Sequence, residues 1–120
     1  MGVYGEFKKK RRFTEPGFEH TRSADTPANT VIVVGGLVGV TTEFTPAGKM
    51  FWVPEQGTFE ITNTAYSALT FAKGDTVKMT VASEIGTIAT AGTIILGHAA
   101  VAKVAGVETV VVRLATGRNG

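Results

Sequence analysis

TVIVVGGLVGV, residues 30–40, sets two short strands about a glycine pair, and the architecture follows from them. Residues 30–34 are β-branched throughout, too few for a buried helix, and closed by Gly35-Gly36. They read as a strand buried on both faces. Residues 37–42 read as a second strand beyond the glycines. Working outward, residues 49–53 (KMFWV) form a strand that stops at Pro54, which cannot donate to a ladder. Residues 58–61 (TFEI) alternate, and Phe18, His20 and Arg22 alternate more weakly with Glu19, Thr21 and Ser23 before the turn chemistry of Asp25, Pro27 and Asn29.

Residues 63–72 (NTAYSALTFA) have the only helix-forming composition. Asn63 or Thr64 would cap about two turns, with Tyr66, Leu69 and Phe71 facing inward. After the Lys73-Gly74-Asp75 turn signal, residues 76–81 place Val77, Met79 and Val81 on one face. Residues 85–90, 93–99 and 108–114 complete the set. Short strands with regular turns and at most one short helix predict an all-β barrel or sandwich.

One phrase occurs twice: LVGVTTEFTPAG (residues 37–48) and ILGHAAVAKVAG (residues 95–106) each place an aliphatic-glycine pair nine positions before an Ala-Gly pair. At this offset of 58 residues, Trp52-Val53 falls on Val110-Val111. Each copy reads as strand, loop, strand, the first glycine marking a close backbone approach and the second a tight turn. Either two similar strand pairs flank one core, or common Gly, Ala and Val coincide by chance.

The 120 residues fit one domain. The divisions expected are a flexible basic arm (1–16), a β domain (17–116) and a frayed end (117–120). With no cysteine, neither disulfides nor thiolate metal sites contribute. No stretch approaches the roughly 18 apolar residues of a membrane span, and the first residues lack the apolar run of a secretory signal, so an intracellular origin is expected. Glu6 stands where a myristoylation signal needs Ser or Thr. The formal charge of +2 is a property of the arm, since residues 1–22 hold six Lys/Arg against three Asp/Glu and residues 23–120 hold six against seven.

Catalytic patterns fail one by one. His20 and His98 have no companion at ligand spacing, so both read as strand or loop histidines, and no metal or cofactor is expected. Residues 35–39 (GGLVG) break the dinucleotide fingerprint, with Val34 at its first glycine and β-branched residues where a helix should open. Ala47-Gly48-Lys49 resembles a phosphate loop only in part, because Met50 replaces Ser/Thr and Glu43 the first glycine. Asp75 reads as a turn aspartate, and Glu55, Glu60 and Glu84 as solvated acids. No catalytic residue emerges, and an enzyme is not expected.

The arm leaves three readings open. Lys8, Lys9, Lys10, Arg11 and Arg12, flanked by Phe7 and Phe13, suit phosphates and stacked bases, which makes a small β-barrel nucleic-acid-binding module the alternative function. A loose solvated tail is the plain reading, and an added strand on a partner's sheet edge the third.

The order of VIVVGGLVGVTTEF, then GKMFWVPEQGTFEI, AKGDTV (residues 72–77), ILGHA (95–99), Ala105-Gly106 and VVVRL (110–114) resembles the tailed-phage capsid cement, or head decoration, family across residues 13–115. Two departures stand out: Glu15-Pro16-Gly17 follows a long basic arm, and Gln56-Gly57 replaces the family's acid-glycine pair. The resemblance implies a compact β-barrel or β-tulip module. It also implies a virion protein that binds the outside of an expanded head at junctions between major capsid proteins, commonly as a homotrimer, and stabilises it against internal DNA. No membrane and no nucleic acid are implied as partners. On this reading Lys8 to Phe13 contact the capsid, and Phe51, Trp52 and Phe59 divide between core and subunit interface. A carbohydrate-binding module rests only on an exposed Trp52.

Overall fold

Val31, Ile32 and Val33 are all buried, as a strand covered on both faces requires. In the computed structural model, which describes residues 16–114, this strand is β2 (Val31–Val34), between β1 (Gly17–Thr21) and β3 (Leu37–Val40). There follow β4 (Met50–Pro54), β5 (Thr58–Thr62), β6 (Thr76–Ala82), β7 (Ile85–Ile88), β8 (Ile94–Ala99) and β9 (Thr109–Leu114). Seven strands form an antiparallel sheet in the order β3-β2-β7-β6-β8-β9-β5, curled into a nearly closed barrel, while β1 and β4 pair as a separate ribbon. The fold is thus all-β, as expected.

The core is aliphatic. Val40, Val77, Met79, Val110 and Val112 are fully buried, and Phe59, Leu69, Phe71 and Ile94 pack against its edge. Val81, expected on the same inward face as Val77 and Met79, is 37% exposed, because it lies near the hairpin end of β6, opposite Gly86.

The expected helix shrinks to a single 3-10 turn, Thr64–Tyr66. Asn63 caps it by accepting from the Ala65 N–H (2.9 Å), and Tyr66 is buried with its hydroxyl accepting from the Ile88 N–H (3.1 Å). The chain does not continue as helix because its next backbone groups pair elsewhere: Phe71 exchanges two hydrogen bonds with Lys103 (3.0 and 2.8 Å). Tertiary pairing overrides a short stretch of helix propensity.

The repeated phrase is a repeated structure. Thr26 and Thr45 exchange both backbone hydrogen bonds, as Phe71 and Lys103 do. The Gly48 N–H donates to Arg22 O and the Gly106 N–H to Ser67 O, both at 2.8 Å. Thr41 bonds Asn29 and Thr30 where Ala99 bonds Gly74 and Asp75. Every pair relates by an offset of 45 residues on one side and 58 on the other. Strand registers agree as well: Val31↔Val40 and Ile32↔Gly39 correspond to Thr76↔His98 and Val77↔Gly97. The outer pairs, β1–β4 and β5–β9, are both antiparallel but differ in register: these offsets would carry Gly17↔Pro54 onto Thr62↔Val112, whereas Val112 pairs with Phe59.

One half is therefore β1, β2, β3 and β4, and the other β5, β6, β8 and β9. Strand β7 has no counterpart; it lies between β2 and β6 and joins the halves into one sheet. The glycines carry the roles read from sequence. A Cβ at Gly39 would collide with the Pro54 carbonyl, and one at Gly97 with that of Arg113. Gly48 and Gly106 adopt φ of 82° and 96°, where L side chains are strained.

Candidate functional site

Because the two halves share one plan, each presents the same kind of loop, residues 41–50 and 99–108. Thr41 and Ala99 are buried at the start, Thr45 and Lys103 in the middle, and the positions after them are exposed. The first loop is held by side chains. Asp25 Oδ1 accepts from the Ala47 N–H (2.9 Å), and the Thr41 hydroxyl donates to Pro27 O (2.7 Å) while accepting from the Thr30 N–H (2.9 Å). With the Ala47 and Gly48 amides both engaged, the Ala47-Gly48-Lys49 turn offers no phosphate cradle.

The second loop is held by a lysine. Lys103 is 5% exposed, and its Nζ donates to the carbonyls of Leu69 and Val104. A buried ammonium must find acceptors, and of these two the Leu69 carbonyl ties the loop to the segment that follows the 3-10 turn.

Apolar side chains cap both loops. Eight large hydrophobic residues are exposed among the described residues, and five of them, Phe44, Met50, Val101, Val104 and Val107, belong to these two segments. Phe44 and Met50, with Phe51 and Trp52, line a groove of about 480 Å³. Exposed apolar groups gathered in this way mark an interaction surface. Sequence reasoning passed over these five residues; the signal available was the repeat itself, whose loop halves carry them.

Of the expected interface residues, Phe51 and Trp52 lie on β4, partly buried and outside the main core cluster, whereas Phe59 on β5 packs against that cluster. Trp52 lies over Gly17, where a Cβ would meet its ring, and Phe51 stands edge-on to His20, ring centroids 5.9 Å apart. Lys8, Lys9, Lys10, Arg11, Arg12 and Phe13 lie outside the described residues.

Asp75 is a turn aspartate as expected, its Oδ2 accepting from the Ala72 N–H (2.8 Å). Glu84 is exposed, as expected of a solvated acid, though it meets two basic side chains, whereas Glu55 departs from that expectation. Glu84 Oε1 stands 3.2 Å from His20 Nε2 and 3.7 Å from Arg22 Nε, linking the β1–β4 ribbon to the main sheet. Glu55 is partly buried, its Oε2 has no hydrogen-bond partner, and desolvation pushes its carboxyl above the ordinary 4.5. Among the described residues no group of three or more His, Cys, Asp or Glu could hold a metal ion, and no helix is long and apolar enough to cross a membrane.

A small barrel that presents apolar loops in duplicate has the features of a docking module. The chain matches the family model of the phage cement protein over residues 14–114 and belongs to that family. Membership makes it a component of the phage virion that binds the capsid, in a structural family. No curated protein matches the chain, and no solved structure does.

Proposed function

We propose that this protein binds the outer surface of the expanded phage head at junctions between major capsid proteins, as a homotrimer, and stabilises the head against the pressure of packaged DNA. The observation that carries the reading is the family match, which spans the whole of the described barrel. The exposed apolar loops support it, since a protein that lives against a shell needs surface to bury there.

The mechanism is linkage. A ligand that binds the assembled shell and not its separated subunits stabilises the shell by RT ln(1 + [L]/Kd), about 2.7 kcal/mol per site at a hundredfold excess over Kd. Many sites multiply the effect. The basic arm, Lys8 to Phe13, adds a tethered contact to a neighbouring capsid subunit, and Phe51 and Trp52 on β4 lie at a subunit contact, with Phe59 nearer the core.

The test is co-sedimentation of the full chain, and of a form lacking residues 1–12, with expanded undecorated shells across a salt series. Saturation at a fixed ratio to capsid subunits, with protection of the shells from heat or osmotic shock, is expected. Truncation should weaken binding and flatten its salt dependence. Absence of shell binding, with salt-sensitive retention of the full chain on DNA, would overturn the reading.

A further inference from the structure

We propose that Glu84 on the β6–β7 turn and His20 on β1 form a proton-controlled latch, which holds the β1–β4 ribbon closely on the barrel when His20 is charged and loosely when it is neutral. The inference concerns the chain by itself. It goes beyond the capsid-binding reading, because it assigns a conformational control to a cluster which that reading does not use.

Three observations converge. First, the ribbon lacks a ladder that its counterpart has. Strand β9 pairs with β8 through Gly97↔Leu114, His98↔Arg113 and Ala99↔Val112, whereas among the described residues β4 forms no ladder with β3. Glu55, at the position equivalent to Arg113, gives its N–H to Pro16 O beside β1 instead (3.1 Å). Side chains, not backbone pairing, therefore hold the ribbon on the sheet. Second, Ser83 and Glu84 both adopt left-handed backbone, with φ of 51° and 74°, in a turn that has neither Asn nor Gly. Strain kept at two consecutive residues points to a function, and here it delivers a carboxylate to the ribbon. Third, His20 Nε2 and Arg22 Nε, 3.2 and 3.7 Å from Glu84 Oε1, are buried and make no hydrogen bond. The contact is one of charge alone, so a neutral imidazole adds little to it and an imidazolium adds a full charge.

The surroundings leave the sign clear. Strands β2, β4 and β7 carry no ionisable side chain, and Phe51 of β4 and Phe18 of β1 stand edge-on to the imidazole, centroids 5.9 and 6.4 Å away. Glu19, next to His20 on β1, lies on the opposite face of the strand. Arg22 opposes the added proton, but its Nη1 is drawn to Asp25 O (3.3 Å) and Thr26 Oγ1 (3.0 Å), and the imidazole lies closer to the acid than the guanidinium does. The Asp25 carboxylate is engaged by the Ala47 N–H. Protonation of His20 therefore adds attraction. The latch tightens as pH falls through the range, about 6.5, where histidines ordinarily titrate, and slackens as pH rises through it. Phe51 and Trp52 of the ribbon line the groove with Phe44 and Met50, so the latch governs one wall of that groove.

Hydrogen exchange of the full chain, corrected for the intrinsic effect of pH, would be followed from about pH 5 to 8 in the ribbon (Gly17–Thr21 and Met50–Pro54) and in β8 and β9. Ribbon protection should fall about two- to fivefold across that range, as befits one partly exposed ion pair, while β8 and β9 hold theirs. Glu84→Gln and His20→Gln should each abolish the tightening at low pH, and Glu84→Lys should reverse it, so that the ribbon loosens as His20 gains its proton. His98→Gln and Glu55→Gln should behave as the parent does, which separates the latch from the other histidine and from the Glu55 carboxyl. Circular dichroism melts would establish that each variant folds. A flat profile in the parent, an equal change in ribbon and barrel, low-pH tightening that survives Glu84→Gln, or an unreversed slope in Glu84→Lys would overturn the proposal. No shell enters the experiment, so failure of the latch and failure of the capsid-binding reading are told apart.

Discussion

Glu55 shows how a single side chain makes the barrel pH-sensitive. Its backbone N–H donates to Pro16 O (3.1 Å), which holds it at the mouth of the β1–β4 ribbon, and one carboxylate oxygen is buried there without a partner. Desolvation disfavours the charged form, so the folded chain keeps the proton at pH values just above 4.5 where the unfolded chain has released it. Stability therefore falls as pH rises through that window, and the full penalty applies at neutral pH. Glu55→Gln should raise the urea midpoint at neutral pH and leave it unchanged well below pH 4.5. A midpoint shift of the same size at both would contradict this account of the site.

Among the elements, the β6–β7 hairpin holds the most strained turn. Its two loop residues, Ser83 and Glu84, have φ of 51° and 74°, positions that two-residue hairpins give to Asn and Gly. The turn aims Glu84 at His20 and Arg22, and the Glu84 carbonyl accepts from the Val33 N–H (2.9 Å). Ser83→Asn keeps these contacts and relieves part of the left-handed penalty. It should stabilise the protein by about 0.5 kcal/mol, a rise of a few degrees in Tm.

Nothing in the sequence marks that turn, because Ser-Glu carries no hairpin chemistry. The β-branched runs and glycine pairs, by contrast, made β2, β3, β6, β8 and β9 legible within a residue or two. The short helix was overestimated because composition cannot show that Phe71 pairs with Lys103. The apolar loop tips escaped notice because exposure of Phe44 or Val104 depends on where the chain turns, which no local pattern states. The separate β1–β4 ribbon is likewise a matter of long-range pairing.

For the whole molecule, the internal duplication makes a quantitative claim. Gly39 and Gly97 sit at equivalent crossings, each with a backbone carbonyl where a Cβ would go. Gly39→Ala and Gly97→Ala should each destabilise the fold by about 1–3 kcal/mol. Gly36→Ala, with nothing within 4 Å of its added methyl, should cost far less. Chemical denaturation of the three variants compares them directly; a large cost at only one of the two crossings would break the equivalence.

Strand β7 gives the molecule a mechanical character. The halves meet in the main sheet through the β2–β7 ladder, Val31↔Gly86 and Ile32↔Ile85, with the Val33–Glu84 bond and the Glu84 contacts to His20 and Arg22 beside it. By comparison, β5–β9 and β1–β4 each register five residue pairs. A pull that drags the halves apart thus loads a short seam before it loads either half. Under tension the barrel would part along β2–β7 while each half keeps its own longest ladder, so the joint would stretch before it tears.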